Sequence, residues 1–217
     1  QLEKAELCLR KAIELKPDYA EAYLNLGNIL QGLGKFKEAA ISTHKAIELK
    51  PDFVIAYLNL GTILKNLGQL EKAELCLRKA IELKPDFVDA HLNLGTILQS
   101  LSDYKDAELC IRKAIELKPD YAEAHLNLGN ILQGLGNFKA AAISTRKAIE
   151  LKPDFVVAHF NLGNILQGLG NFKEAELSLR KAIELKPDFV DAHLNLGNIL
   201  QGVGDFKEAA ISTHKAI

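Results

Sequence analysis

Methionine is absent from all 217 residues, cysteine occurs three times, proline six, and the formal net charge is −1. Each scarcity excludes something. With no initiator and a first landmark proline arriving in mid-pattern at Pro17, the sequence is expected to be a piece of a longer protein. The charge balance holds locally as well: within 20–53, Glu21, Glu38, Glu48 and Asp52 offset Lys35, Lys37, Lys45 and Lys50. No basic field exists to collect nucleic acid. No apolar run approaches the ~20 residues of a membrane span, and the N-terminus carries neither a charged start nor an apolar signal region, so no membrane partner and a cytoplasmic setting are expected. Cys8, Cys76 and Cys110 recur at one place in a repeated text, which sets neighbours too far apart for the ~5.5 Å Cα spacing of a disulfide. Three reduced thiols on helices are expected.

What is present is repetition. With 48% hydrophobic and 25% charged residues the chain can bury a sizeable core, and prolines at Pro17, Pro51, Pro85, Pro119, Pro153 and Pro187 divide it into near copies 34 residues long. A fixed period of this size marks a solenoid. Within 20–53, Ala22, Leu26, Gly27, Leu30 and Leu33 trace one helical face, and Ala39, Ala46, Ile47 and Leu49 trace a second. Each unit is therefore a pair of helices. The first helix is expected to start in a capping box, Asp18 with Glu21 and Asp120 with Glu123. It should end at Gly34, Gly68, Gly136, Gly170 and Gly204, where a left-handed residue is wanted. Ser102 holds that place in one unit and predicts a weaker turn. Asp103, Asn137, Asn171 and Asp205 are expected to cap the second helix, three of them with Asp106, Glu174 and Glu208 at the box position.

The residues that carry a family resemblance are now in view. Tyr23-x₂-Leu26-Gly27-x₂-Leu30, then Ala39-x₃-Thr43, then Pro51, resembles the tetratricopeptide pattern, and it recurs down the whole chain. The resemblance implies an all-α, right-handed superhelical solenoid of 34-residue helix-turn-helix repeats. The chain reads as a single array over 1–217: a partial repeat at 1–19, full repeats at 20–53, 54–87, 88–121, 122–155 and 156–189, and a truncated last repeat at 190–217. Gly27, Gly61, Gly95, Gly129, Gly163 and Gly197 are expected to face Ala39, Ala73, Ala107, Ala141, Ala175 and Ala209, small against small. The chain departs from the pattern at its aromatics. His91, His125, His159 and His193 follow Tyr23 and Tyr57 at the first, and Thr43, Leu77, Ile111, Thr145, Leu179 and Thr213 stand at the second, which suggests modest stability per unit. Ends without polar caps are expected to promote self-association.

The resemblance also implies that the first helix of each pair lines the concave side. Its outward face reads Glu21, Leu24, Asn25, Asn28, Gln31 and Gly32. At its centre an asparagine occurs in every unit, Asn25, Asn59, Asn93, Asn127, Asn161 and Asn195, flanked by Asn28, Thr62, Thr96, Asn130, Asn164 and Asn198. An amide both donates and accepts, so such a ladder can pair with the backbone of an extended peptide whatever its side chains. The expected partner is a protein or extended peptide segment. Duplication alone could equally have copied one polar residue six times. The unit text is similar to the repeat arm of O-linked N-acetylglucosamine transferases, which implies the alternative of a substrate-recruiting arm; a structural spacer is a third reading.

Other chemistries find little support. The carboxylate-clamp positions known in the family hold Leu24, Leu58 and Leu92, or Glu21, Ile55 and Asp89, instead of cations. The histidines stand one repeat apart, too far to share a metal, and read as aromatic substitutes in packing. Gly27-x₄-Gly32 is followed by Leu33 where a phosphate loop has lysine. Leu24, Asn25 and Asn28 give RNA bases nothing to stack on. No nucleophile, base and orienting acid stand together, so neither catalysis nor a cofactor is expected of these residues.

Overall fold

A computed structural model describes residues 1–202 together with Gly204, Phe206 and Ala209. Asp205, Glu208 and Thr213, and with them the last expected cap and the close of the last repeat, lie outside the described residues. Those described form twelve α-helices and no strand. They fall into two compact units, Gln1–Leu117 and Lys118–Ile217.

The first unit holds α1 (Leu2–Leu15), α2 (Ala20–Gly32), α3 (Phe36–Leu49), α4 (Val54–Asn66), α5 (Leu70–Leu83), α6 (Val88–Ser100) and α7 (Tyr104–Leu117). The second holds α8 (Ala122–Gly134), α9 (Phe138–Leu151), α10 (Val156–Gly168), α11 (Phe172–Leu185) and α12 (Val190–Gly202). Even-numbered helices are the first of each hairpin and odd-numbered helices the second. Inside each unit every helix packs on the next, and successive first helices also touch. Among the described residues of each unit taken by itself, no second helix approaches another within 8 Å between Cα atoms. Within each unit the first helices therefore form a layer and the second helices stand apart.

Local sequence explains the hairpins. Gly34, Gly68, Gly136 and Gly170 end their helices at φ between 72° and 77°, and Ser102 adopts the same left-handed conformation at φ 65°. The interior of the hairpin is closed by the glycine of the first helix, with a correction to the expected contact. A side chain at Gly27 would meet the Thr43 hydroxyl and the Ala39 carbonyl oxygen at 3.3 Å; one at Gly61 would meet Leu77 Cγ at 2.9 Å. The partner is thus the second-helix side chain four residues beyond the alanine, together with the alanine's backbone.

The capping boxes at Asp18 and Asp120 do not form. Tyr19 and Tyr121 are the N-caps, without a side-chain bond. The Lys-Pro-Asp-aromatic turn takes their place: Tyr19 N–H donates to the Lys16 carbonyl at 3.2 Å, and the Lys16 ammonium lies 5.0 Å from the Tyr19 ring centroid. The same lysine-on-ring contact recurs at Lys50 and Phe53, 4.8 Å, and at Lys152 and Phe155, 4.7 Å. At second helices Asp103 accepts from the Asp106 N–H at 3.3 Å and Asn137 from the Ala140 N–H at 3.4 Å. Asn171 makes no cap bond, and its expected box partner Glu174 instead accepts from Arg146 at 2.6 Å.

The histidines do more than fill space. Nε2 of His91, His125, His159 and His193 donates to the carbonyl of Pro85, Pro119, Pro153 and Pro187 at 2.8, 2.9, 2.9 and 3.0 Å. A carbonyl only accepts, so the ring proton is on Nε2. The first helix is thereby tied to the turn that precedes it. Cys8, Cys76 and Cys110 are free thiols, and burial pushes the Cys110 thiol up to about 11.

Candidate functional site

The candidate site is the outward stripe of the first helices. Asn25 is exposed, while Asn59, Asn93, Asn127, Asn161 and Asn195 are half-buried; Asn28 and Asn198 are exposed, Asn130 and Asn164 half-buried. All ten stand on first helices, as a spacing of three and four residues requires.

Leu24 does not belong to this stripe. It is 6% exposed and packs with Ala46 and Ala56, against Tyr23, Ile47 and Phe53. Leu126 repeats the arrangement with Ala148 and Ala158. On an isolated helix Leu24 points outward; in the unit, α4 covers it. Leu24, one of the leucines at the clamp positions, is thus a seam residue where α2, α3 and α4 meet.

The amides are not independent. Asn59 Nδ2 donates to Asn28 Oδ1 at 2.7 Å, across 31 residues of sequence and one repeat of structure. Asn161 to Asn130 and Asn195 to Asn164 repeat the bond at 2.7 Å. The flanking asparagine thus stitches each of these rungs to the preceding hairpin. Each pair keeps the second Nδ2 hydrogen of one amide and both hydrogens of the other, besides carbonyl lone pairs, for an outside partner. Threonine at the flank behaves differently. Thr62 donates to the Leu58 carbonyl at 3.1 Å and Thr96 to the Asn93 carbonyl at 2.8 Å, so both hydroxyls turn back onto their own helices.

Charge at the stripe's edge is engaged locally. Glu21 pairs with Lys50 at 3.5 Å and Glu123 with Lys152 at 3.8 Å, all four side chains a little under half exposed. In the corresponding places of α4 and α10 stand Ile55 and Val157, 52% and 45% exposed. Among the described residues no group of three or more His, Cys, Asp and Glu side chains could hold a metal, and no helix is long and apolar enough to cross a membrane.

Stacked helical hairpins with a polar stripe on the first helices define a repeat-protein class. The tetratricopeptide repeat model matches residues 20–53, 54–87, 88–121, 122–155 and 156–189, and a second tetratricopeptide model matches 1–34. The chain belongs to the tetratricopeptide repeat family, and its fold is the family's all-α hairpin solenoid. No curated protein matches it. Among solved structures it is similar to YrrB, described as a tetratricopeptide protein with an unusual peptide-binding site, at 28% identity and TM-score 0.68, covering 85% of this chain and 95% of that one. MamA is similar at 26% identity and TM-score 0.67, covering 72% and 92%. PilF of Pseudomonas aeruginosa, at 18% identity, TM-score 0.79 and coverage of 89% and 88%, shares the fold.

Proposed function

We propose that this chain is a non-catalytic scaffold that binds an extended segment of another protein along the asparagine stripe of its first helices. The observation that carries the reading is the stitching of Asn28 to Asn59, Asn130 to Asn161 and Asn164 to Asn195, each at 2.7 Å. Amides tied to one another lose little further freedom when a ligand arrives, and pre-organisation is what makes hydrogen bonds productive in binding. An extended chain advances ~3.3 Å per residue against a helix spacing of about 10 Å, so one rung serves about three ligand residues. The peptide binding attributed to YrrB agrees with this use of the fold. A cytosolic setting goes with the reading, since Cys8, Cys76 and Cys110 then remain thiols.

The test is an unbiased screen of displayed, unstructured 12-residue peptides, followed by titration of the best binders against the chain and against Asn59→Ala with Asn93→Ala. Each lost hydrogen bond is worth ~0.5–1.5 kcal/mol, so two should weaken binding roughly 5- to 150-fold. Unchanged affinity would refute the ladder. If the segments selected prove to be acceptor sites of a glycosyl transfer reaction, the alternative of a substrate-recruiting arm of a larger transferase gains; if the screen selects nothing, the spacer reading does.

A further inference from the structure

Within unit 1 the seam between α4 and α6 is built unlike the seam between α2 and α4. At α2–α4, and at α8–α10 and α10–α12 in unit 2, a flanking asparagine and a rung asparagine hold one another at 2.7 Å. At α4–α6 the flank is Thr62, whose hydroxyl donates to the Leu58 carbonyl. The amide side chain of the half-buried rung Asn93 makes no hydrogen bond among the described residues. One turn further along the same seam stands Lys65, exposed, where the other first helices have Gln31, Gln99, Gln133, Gln167 and Gln201. Its ammonium crosses the seam to the Thr96 hydroxyl at 3.4 Å.

The result is a surplus of donors. An ammonium has three N–H groups, of which Thr96 takes one at a long distance, and Asn93 keeps both hydrogens of its amide. The hydroxyl protons of Thr62 and Thr96 are turned to backbone carbonyls. A cation in the last turn suits a helix C-terminus, yet Lys65 reaches sideways across the seam instead of toward the end of α4. Among the described residues no carboxylate pairs with it. Glu71 lies across the hairpin turn and Asp89 two helical turns before Thr96, and neither reaches it. Glu21 is engaged by Lys50, Glu74 by Arg78 and Glu82 by Lys79.

We infer that the α4–α6 seam is an anion position on the stripe, and that the extended segment proposed above presents an aspartate or glutamate side chain to it. The inference rests on that reading of the stripe and names one feature of its ligand. One carboxylate oxygen accepts from the Lys65 ammonium, a charge-assisted bond, and the other from the Asn93 amide one turn away on the facing helix. The stitched asparagines grip backbone whatever the sequence; this seam is where unit 1 selects an acid. It also accounts for the missing stitch, since an Asn93 amide tied to a flanking asparagine would have fewer donors to offer a carboxylate.

The test uses the full chain and the tightest peptides of the displayed screen, made synthetically with each aspartate and glutamate changed in turn to its amide. Titrated by fluorescence anisotropy, one such change should weaken binding about two- to fivefold, the range of an exposed ion pair. Against Lys65→Gln, which carries the residue of the other five first helices and should melt like the parent, the same change should cost nothing. Against Lys65→Glu it should strengthen binding. Binders that lack an acid overturn the inference, as does an amide change that costs as much against Lys65→Gln as against the parent. Loss of binding on amidation of the peptide C-terminus, with every internal acid indifferent, overturns the side-chain assignment. Asn25→Ala with Asn59→Ala, which leaves this seam intact, separates the two readings. If that pair weakens binding while Lys65 is without effect, the stripe stands and the anion position falls; if the screen selects nothing, or the binders ignore both, the two fall together.

Discussion

Replacing Ser102 with glycine should stabilise the chain without touching any contact. Ser102 sits at φ 65° where the equivalent residues Gly34, Gly68, Gly136 and Gly170 have φ of 72–77°. The turn is otherwise intact: Ser102 N–H donates to the Gln99 carbonyl at 3.0 Å and Asp103 N–H to Leu98 at 2.9 Å, against 3.0 and 2.9 Å at Gly68 and Gln69. The serine therefore keeps the hydrogen bonds of the turn and carries the conformational cost, ~1–2 kcal/mol for a left-handed residue with a Cβ. Glycine removes that cost but raises the entropy of the unfolded chain by ~0.4–1 kcal/mol. The net expectation is about 0.5–1 kcal/mol in favour of Ser102→Gly, with Gly68→Ser losing a similar amount. Because stability in a repeat array is partly local, amide exchange is a sharper assay than a global melt. Exchange at Leu101 and Asp103 should slow about two- to fivefold, and the urea midpoint should rise by a few tenths of a molar. Equal protection in Ser102→Gly and the parent, with Gly68→Ser neutral as well, would refute the assignment of strain to this φ.

Two further outcomes follow from packing and from the buried thiol. Gly95→Ala would place a Cβ 2.5 Å from Ile111 Cδ1 and 3.2 Å from the Ala107 carbonyl, and should destabilise by ~1–3 kcal/mol. Gly32→Ala meets only Leu2 Cδ1 at 3.5 Å and should stabilise by ~0.5–1 kcal/mol, so denaturation midpoints that move the same way for both would contradict the close-approach argument. Burial pushes the Cys110 thiol from 9.0 to about 11, so at pH 8 its thiolate fraction, and its rate of alkylation followed by peptide mapping, should be roughly 100-fold lower in the fold than in urea. The linkage sign is that of a proton held longer by the folded chain: this contribution is whole below about 9 and declines as pH rises toward about 11.

How much of this could be read from sequence depends on whether a feature lives inside one repeat or between repeats. The period, the two helices per unit and the left-handed glycines are local properties of near-identical text, and the structure bears them out. Asp18 was misleading because an acid three residues before Glu21 satisfies the pattern of a capping box, while the aromatic beside it, held under Lys16, occupies the cap. Leu24 shares a helical stripe with Asn28, and nothing within one repeat shows that the next first helix buries it. The histidine bonds depend on a loop carbonyl six residues upstream, which periodicity does not see. The asparagine stitches were legible in principle. Their separation of 31 residues is one period less three, so a rung and the flanking residue of the preceding unit fall side by side.

Variation between near copies bears on how the proposed site would discriminate. The central asparagine is the same in all six units, as a grip on backbone requires, since backbone is what ligands share. Selectivity must then come from positions that differ. The edge position of the stripe varies as Glu21, Ile55, Asp89, Glu123, Val157 and Asp191. Of these, Glu21 and Glu123 are engaged by Lys50 and Lys152, whose turns they brace. Ile55 and Val157 have no such local use, and each exposes about half its surface one helical turn from a rung. An aliphatic side chain held there costs solvation unless something covers it. Each compact unit carries one of them, which on the proposed reading gives each unit one apolar anchor beside a sequence-tolerant amide row. A ligand would then be chosen less by its overall sequence than by where its hydrophobic residues fall along an extended segment.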